Sequence, residues 1–378
     1  MKTAAKLAGE ISRRQVAAFR LARHHLHDAK GNDPIEICRD VCGVQAQVML
    51  AAHLNIAART RGLSPERIEG ALWQERTLVK TLCMRQTVHL LPAEEFHIYA
   101  AAVRRSRVTA VERIMARFRI TAADREALLG SILEILKAGP VANLELTARV
   151  RPRVSGRVRA WMDRVWNANR LALVEGLICY GPNLGQQVTF VRVDQWLPRT
   201  RPPSESEAKR ELLRKYLRAY GPATLRDFSH WSGIPVNEAR EPWEASAGER
   251  VQVKVEGREA SVLREDLREL RAREVMGQRV CLLAAFDPYV LAHAQKEHLV
   301  HPRSYKRVFR SLGWVAPVVL VGGSIAGTWT HKLRRGCAEI SVQPFGRVSR
   351  AVRGGIEEQA EDVARFLGVK AAVLFSRG

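Results

Sequence analysis

The stretch Arg250-Val251-Gln252-Val253-Lys254-Val255-Glu256-Gly257-Arg258-Glu259-Ala260-Ser261-Val262-Leu263 decides the fold class. Two β-rich runs flank a Glu-Gly turn, which is the pattern of a β-hairpin. Upstream, helical patterns cover 207–220 and 224–232, broken at Gly221-Pro222, with Thr224 placed as a helix cap. A short helix is expected near 236–240, after the turn at Gly233-Ile234-Pro235. Helices followed by a hairpin are the outline of a winged helix, a helix-turn-helix variant.

The same order occurs twice more. Ahead of it in the chain, helical periodicity covers 13–26, 48–58 and 64–73, and Ser64-Pro65-Glu66 is a good helix start. Strands are expected at 77–83 and 87–91 around the corner Met84-Arg85-Gln86. The middle unit starts at the cap Thr121, has a long helix over 158–170, and ends in runs 176–180 and 187–193 about Gly181-Pro182-Asn183-Leu184-Gly185. A Pro-, Arg- and Ser-rich linker at 198–206 precedes the third unit. Each unit alone has a small core, so three in tandem should bury their faces against one another. The last part differs, with strands at 280–286, 316–321, 324–329 and 338–342, a Gly322-Gly323 turn, and an amphipathic helix near 356–366. The expected fold class is α+β: winged-helix units at 1–120, 121–200 and 201–275, then a C-terminal α+β domain at 276–378.

The chain has 378 residues, 46% of them apolar, as in an ordinary globular protein. No run approaches the ~20 apolar residues needed to span a bilayer, and Met1-Lys2-Thr3-Ala4-Ala5-Lys6 lacks a secretory apolar core. Six scattered cysteines fit reduced thiols in a cytoplasm better than a disulfide framework. The formal net charge is +22, from 61 basic residues, 12 of them lysine, against 39 acidic ones. Arginine's planar fork fits phosphate oxygens bidentately, so this balance is the footprint of a nucleic-acid binder, at home on the nucleoid.

Within this basic chain lies Cys42-Gly43-Val44-Gln45-Ala46-Gln47. Two glutamines two apart cannot share a helix face, because that spacing turns roughly 200°. On extended or looped backbone both carboxamides point one way. Such a neutral pair on a basic protein suggests that an anion is held while a polar group, a water above all, is oriented. A solvated or capping role is the ordinary alternative for any single glutamine.

Arg104, Arg105 and Arg107 belong to one basic cluster, and Arg151, Arg153 and Arg157 to another on a loop before a helix, where arginines and the helix N-terminus could grip phosphates. A third stretch, Arg303 to Arg310 with Lys306 and Arg307, mixes cations with Tyr305 and Phe309 and suits stacking plus backbone contact. Solvated arginines or core aromatics are the plainer readings. Cys38 and Cys42 lie four apart, and His24, His25 and His27 are close in sequence, yet no metal-binding motif accompanies them. No G-x-G-x-x-G, P-loop or G-x-S-x-G pattern is present, so neither metal nor nucleotide cofactor is expected.

The whole chain resembles the bacterial winged-helix family of AlkZ- and YcaQ-type DNA crosslink-repair glycosylases. The resemblance rests on Gln45-Ala46-Gln47, Arg85-Gln86-Thr87-Val88-His89, Thr224-Leu225-Arg226-Asp227-Phe228 with Trp231, and Phe286-Asp287-Pro288. Gln47 places it in the glutamine-any-glutamine branch, similar to self-resistance glycosylases of antibiotic producers. The basic stretch with Trp314-Val315-Ala316-Pro317 departs from the tyrosine-, arginine- and glycine-rich pattern of that family, which bears on substrate choice. The resemblance implies a DNA glycosylase acting on double-stranded DNA with alkylated purines, Gln45 and Gln47 as catalytic residues, and Arg85 and His89 against DNA. An N7-alkylated purine is cationic and leaves without a general acid, so two carboxamides need only place a water at the sugar. No lysine lies near the motif, which points to a monofunctional enzyme without Schiff-base chemistry, and a monomer is the default expectation for lesion repair. Asp287 is a second candidate for activating water, although an Asp before Pro is commonly a turn former. A crosslinked guanine is tethered, so an open channel is expected rather than base flipping. The competing expectation is a winged-helix transcription regulator without activity, which explains the charge and hairpins but not three units and a glutamine pair.

Overall fold

A computed structural model describes residues 7–165, 169–273, 277 and 279–376. Three units share one plan. In the first, helices Pro34–Asp40, Met49–Ala57 and Pro65–Glu69 precede strands Leu78–Leu82 and Val88–Pro92, and the short strand Val44–Gln45 pairs with Val88–Pro92. The second pairs Val141–Ala142 with Gln187–Arg192, which pairs in turn with Ile178–Leu184. The third carries the hairpin Arg250–Val255 and Arg258–Leu263 at the bounds expected, with Val251 opposite Val262. Its counterpart of the short strand is a single bridge between Ala223 and Ser261. The expected α+β winged-helix architecture is therefore present.

Capping chemistry sets the helix starts. Thr121 with Asp124, Ser204 with Glu207, and Thr224 with Asp227 each form a reciprocal capping box. Several bounds differ from expectation. The helix expected over 158–170 divides into Gly156–Arg164 and Arg170–Val174, with 166–168 outside the described residues. The middle hairpin turns at Gly185-Gln186, because strand pairing with a register shift continues through Gly181 to Leu184. The helix after Pro235 extends to Ala245. Sequence reading missed the 21-residue helix Phe96–Ala116, the strand Lys370–Phe375, and the strand Leu7–Ile11, which joins the third unit's sheet in parallel to Arg250–Val255.

The C-terminal part is a five-stranded sheet. Val280–Leu283, Val318–Val321, Ser324–Arg334 and Cys337–Pro344 run antiparallel, and Lys370–Phe375 adds in parallel after the helix Arg350–Phe366. Its core is continuous with that of the first unit: Val44, Ala52 and Ile56 join Leu282, Trp329 and Ile356 in one cluster.

A buried polar clamp joins the same two parts. Asn55 on helix Met49–Ala57 donates to the Ala285 carbonyl (3.0 Å) and accepts from the Ala284 amide (2.9 Å). Arg59, one turn on, donates through both terminal nitrogens to the Asp287 carboxylate (2.8 and 2.9 Å), with both side chains wholly buried. Asp287 also accepts from the Tyr289 amide and caps the short helix Pro288–Leu291. Asp287 is thus a structural anchor, sealed from solvent, and not an activator of water. Removing one member of a buried pair costs about 3–5 kcal/mol, because the other charge is stranded. Asp287→Ala should therefore lower unfolding free energy by about that much in urea titration, and the double variant Arg59→Met/Asp287→Leu should recover most of the loss.

Candidate active site and nucleic-acid interface

The glutamine motif is extended because the chain before it is forced into a tight reversal. Cys42 and Gly43 both have positive φ (55° and 90°). A Cβ on Gly43 would lie 2.5 Å from the Leu91 side chain and 3.3 Å from the Leu90 carbonyl, so only glycine fits this close approach. Val44–Gln45 then pairs with the central strand, Gln45 opposite His89.

Each carboxamide is pinned through its oxygen. Arg85 Nη2 donates to Gln45 Oε1 (3.1 Å), and the Val88 amide donates to Gln47 Oε1 (2.8 Å), replacing a rung of the strand ladder. A carbonyl oxygen has two acceptor sites, so each keeps one for water, and both NH₂ groups remain as donors. Gln45 is buried and Gln47 is exposed.

Arg85 belongs to this scaffold more than to a DNA surface. Its other terminal nitrogen donates to the Trp231 carbonyl of the third unit, and burial pulls its guanidinium down to about 10. The corner it occupies is left-handed at Arg85 and Gln86 (φ 52° and 60°). The Gly233 turn presses on it so closely that a Cβ there would sit 2.9 Å from the Arg85 amide nitrogen. Arg170 of the second unit donates to Gln86. All three units therefore meet at the corner that orients Gln45.

A cavity of about 260 Å³ opens beside the motif, lined by Gln47, Lys80, Asn143, Tyr180 and Phe190 among others. Lys80 lies on strand Leu78–Leu82, 8% exposed, with its Nζ 5.4 Å from the centre of the Tyr180 ring. Burial pushes its ammonium below the ordinary lysine value, with Glu69 opposing the shift. No lysine lies near the motif in sequence, yet strand pairing brings in one 33 positions from Gln47. A lysine inside the apolar run Leu78-Val79-Lys80-Thr81-Leu82 was the available signal.

Two residues expected against DNA are out of reach of a duplex. His89 is 2% exposed, its Nδ1–H donates to the Thr87 carbonyl (3.0 Å), and burial holds it neutral with a pKa of about 3. Arg107 is 4% exposed and donates to the Leu173 carbonyl. Both fell to the inward face of an element, which sequence proximity to other arginines does not reveal. Arg104, Arg151 and Arg157 are exposed but paired, to Glu175, Asp163 and Asp124. Arg151 and Arg153 form a 3₁₀ turn ahead of the Ser155 cap, where a loop was expected. Arg105, Arg153 and Lys306 are exposed, with no ion pair among the described residues. Arg307 is half-buried and stacks over Phe345 (4.5 Å). In the stretch that departs from the family pattern, Leu312 is fully exposed at a left-handed tip (φ 57°), and Trp314 meets Phe286 edge-on at 5.0 Å. Cys38 and Cys42, weighed as metal ligands, are buried, and burial raises both thiols, Cys42 to about 12.

Residues 38–366 match the model of the family described as DNA glycosylase AlkZ-like. The chain belongs to the AlkZ-like DNA glycosylases. Its relatives include an interstrand DNA cross-link repair glycosylase of Streptomyces sahachiroi, 30% identical over 95% of this chain and 98% of that one. The solved structure of the S. sahachiroi DNA glycosylase AlkZ superposes with a TM-score of 0.86 at 29% identity, covering 97% of this chain and all of that one. Membership decides between the enzyme and the regulator: this AlkZ-like chain is a DNA glycosylase, and its substrate is DNA.

The buried hydrogen bonds generate two expectations. Hydrogen bonds to charged groups contribute about 1.5–3 kcal/mol, so Arg85→Met should slow base release roughly 10–100-fold with duplex affinity little changed in a titration. His89 has a depressed folded pKa, so below its unfolded value near 6.5 the unfolded chain binds a proton that the folded one does not. Stability should fall as pH drops from about 6.5 toward 3, by up to about 1.4 kcal/mol per pH unit for this group. His89→Gln should flatten the slope of a pH series of urea titrations by that one proton.

Proposed function

We propose that this AlkZ-like glycosylase hydrolyses the N-glycosidic bond of N7-alkylated purines in double-stranded DNA, acting as a monomer on adducts that extend to bulky natural products and interstrand crosslinks. One observation carries the reading: two neutral carboxamides, each fixed by a donor at its oxygen, at the meeting point of three winged-helix units of a basic chain. The crosslink-repair name of the S. sahachiroi relative supports the substrate class.

Gln45 and Gln47 act by position. Their free oxygen lone pairs accept from one water and hold it toward the sugar C1′. The departing base is already cationic, so base release needs no general acid. Glutamine is a poor base, and neutral purines should therefore be left intact. Arg105, Arg153 and Lys306 supply unpaired charge for phosphates, while Arg104, Arg151 and Arg157 exchange a carboxylate for a phosphate on binding.

The double variant Gln45→Ala/Gln47→Ala should lose excision of N7-methylguanine, read as alkali-labile sites, while still binding duplex. Undiminished excision would refute the role. Binding should weaken steeply with salt, and changing Arg105, Arg153 and Lys306 to alanine together should reduce the log–log salt slope by about 0.9 for each phosphate no longer neutralised. An unchanged slope would place those three side chains away from the duplex.

A further inference from the structure

Lys80 is unexplained by hydrolysis alone. It sits on a strand whose neighbours Val79 and Leu90 are core residues, and it is 8% exposed. Its Nζ has no hydrogen bond or ion pair among the described residues, and it is not sealed from solvent. It opens into the cavity of about 260 Å³ that Gln47 also lines. The aromatic walls there, Tyr180 and Phe190, hold ring centres 5.3 Å apart and leave Asn143 as the other polar side chain. A purely structural lysine would be expected to reach a carboxylate. Glu69, the nearest acidic influence, instead faces His53 (3.4 Å) and accepts from Trp73.

We propose that Lys80 is an amine nucleophile toward the abasic sugar that base release leaves behind, giving this glycosylase a second, lyase activity. The inference rests on the placement of Gln47 at the sugar proposed above. A lysine desolvated in an apolar pocket is the standard form of a Schiff-base nucleophile, and burial keeps a larger share of Lys80 in the unprotonated form that attacks.

The step balances with water alone. The ring-opened sugar presents an aldehyde at C1′. Lys80 Nζ forms a bond to C1′, the aldehyde oxygen leaves as water after proton transfer, and an imine results. Loss of the C2′ proton to water supplies the electron pair of a C2′=C3′ double bond, and the C3′–O bond breaks with its pair going to the departing 5′-phosphate strand. Water then hydrolyses the imine and frees the lysine. Asn143 and the Tyr180 and Phe190 rings line the same cavity as Lys80 and so flank this centre.

The test is borohydride trapping on a preformed abasic duplex, which needs no base release by the enzyme. Borohydride delivers hydride to the imine and fixes it as a secondary amine. The full-length wild-type chain should give a covalent adduct that peptide mass spectrometry maps to Lys80. Lys80→Arg and Lys80→Gln, each checked for an unaltered circular dichroism spectrum, should reduce the adduct to background. The abasic duplex bypasses base release, so loss of trapping in the Lys80 variants and loss of base release in Gln45→Ala/Gln47→Ala report on separate claims. No adduct with wild type, an adduct on another amine, or full trapping by Lys80→Arg would overturn the assignment. The last of these results would mean that the position serves only as a cation, gripping a phosphate.

Discussion

The buried Arg59–Asp287 pair, with Asn55 one turn before it, is the constraint on which the rest of the molecule depends. The helix that carries Asn55 begins two residues after Gln47, so the clamp fixes where the glutamine motif stands relative to the C-terminal sheet. Two charges in an apolar interior are weak evidence of stability, since hydrophobic residues of similar size often do as well. Their contribution here is registry: a bidentate pair tolerates one alignment of the helix against the loop 284–287, where greasy surfaces alone would slide.

Held from below by that clamp, the motif is held from above by the other units. Arg85 answers to Gln45 and Trp231, Gly233 abuts the Arg85 backbone, and Arg170 secures Gln86. The left-handed backbone at Arg85 and Gln86 is costly for side-chain-bearing residues and persists where surroundings over-determine it. A glutamine with three rotatable bonds loses much entropy when fixed. Anchoring each carbonyl to a donor meets that cost before substrate arrives.

Much of this was legible in the sequence, for local reasons. The hairpin about Glu256-Gly257 and the caps Ser64, Thr121 and Thr224 depend on neighbours within a few residues, and they stand where expected. That the glutamine motif is not helical was readable from the spacing of its two glutamines. The rest depended on long-range placement. Strand Leu7–Ile11 is short and polar in part, and its partner lies some 245 residues on (Leu7 opposite Gln252). The helix Phe96–Ala116 was obscured by its own arginines. That Arg107 points inward while Arg105 points outward is a matter of helical phase against a core no periodicity had located. Lys80 entered the site through strand pairing, which sequence distance cannot measure.

The strand at residues 7–11 has a consequence for how the chain comes to be. At about 5–20 residues per second of synthesis, it leaves the ribosome well before Gln252 exists, and must wait roughly 10–50 s with an open ladder edge. An edge of this kind invites promiscuous pairing. Gly9 in its middle and Glu10 beside it weaken and charge that edge in the interval, so a segment made long before its partner is also shaped to stay solitary until that distant mate emerges.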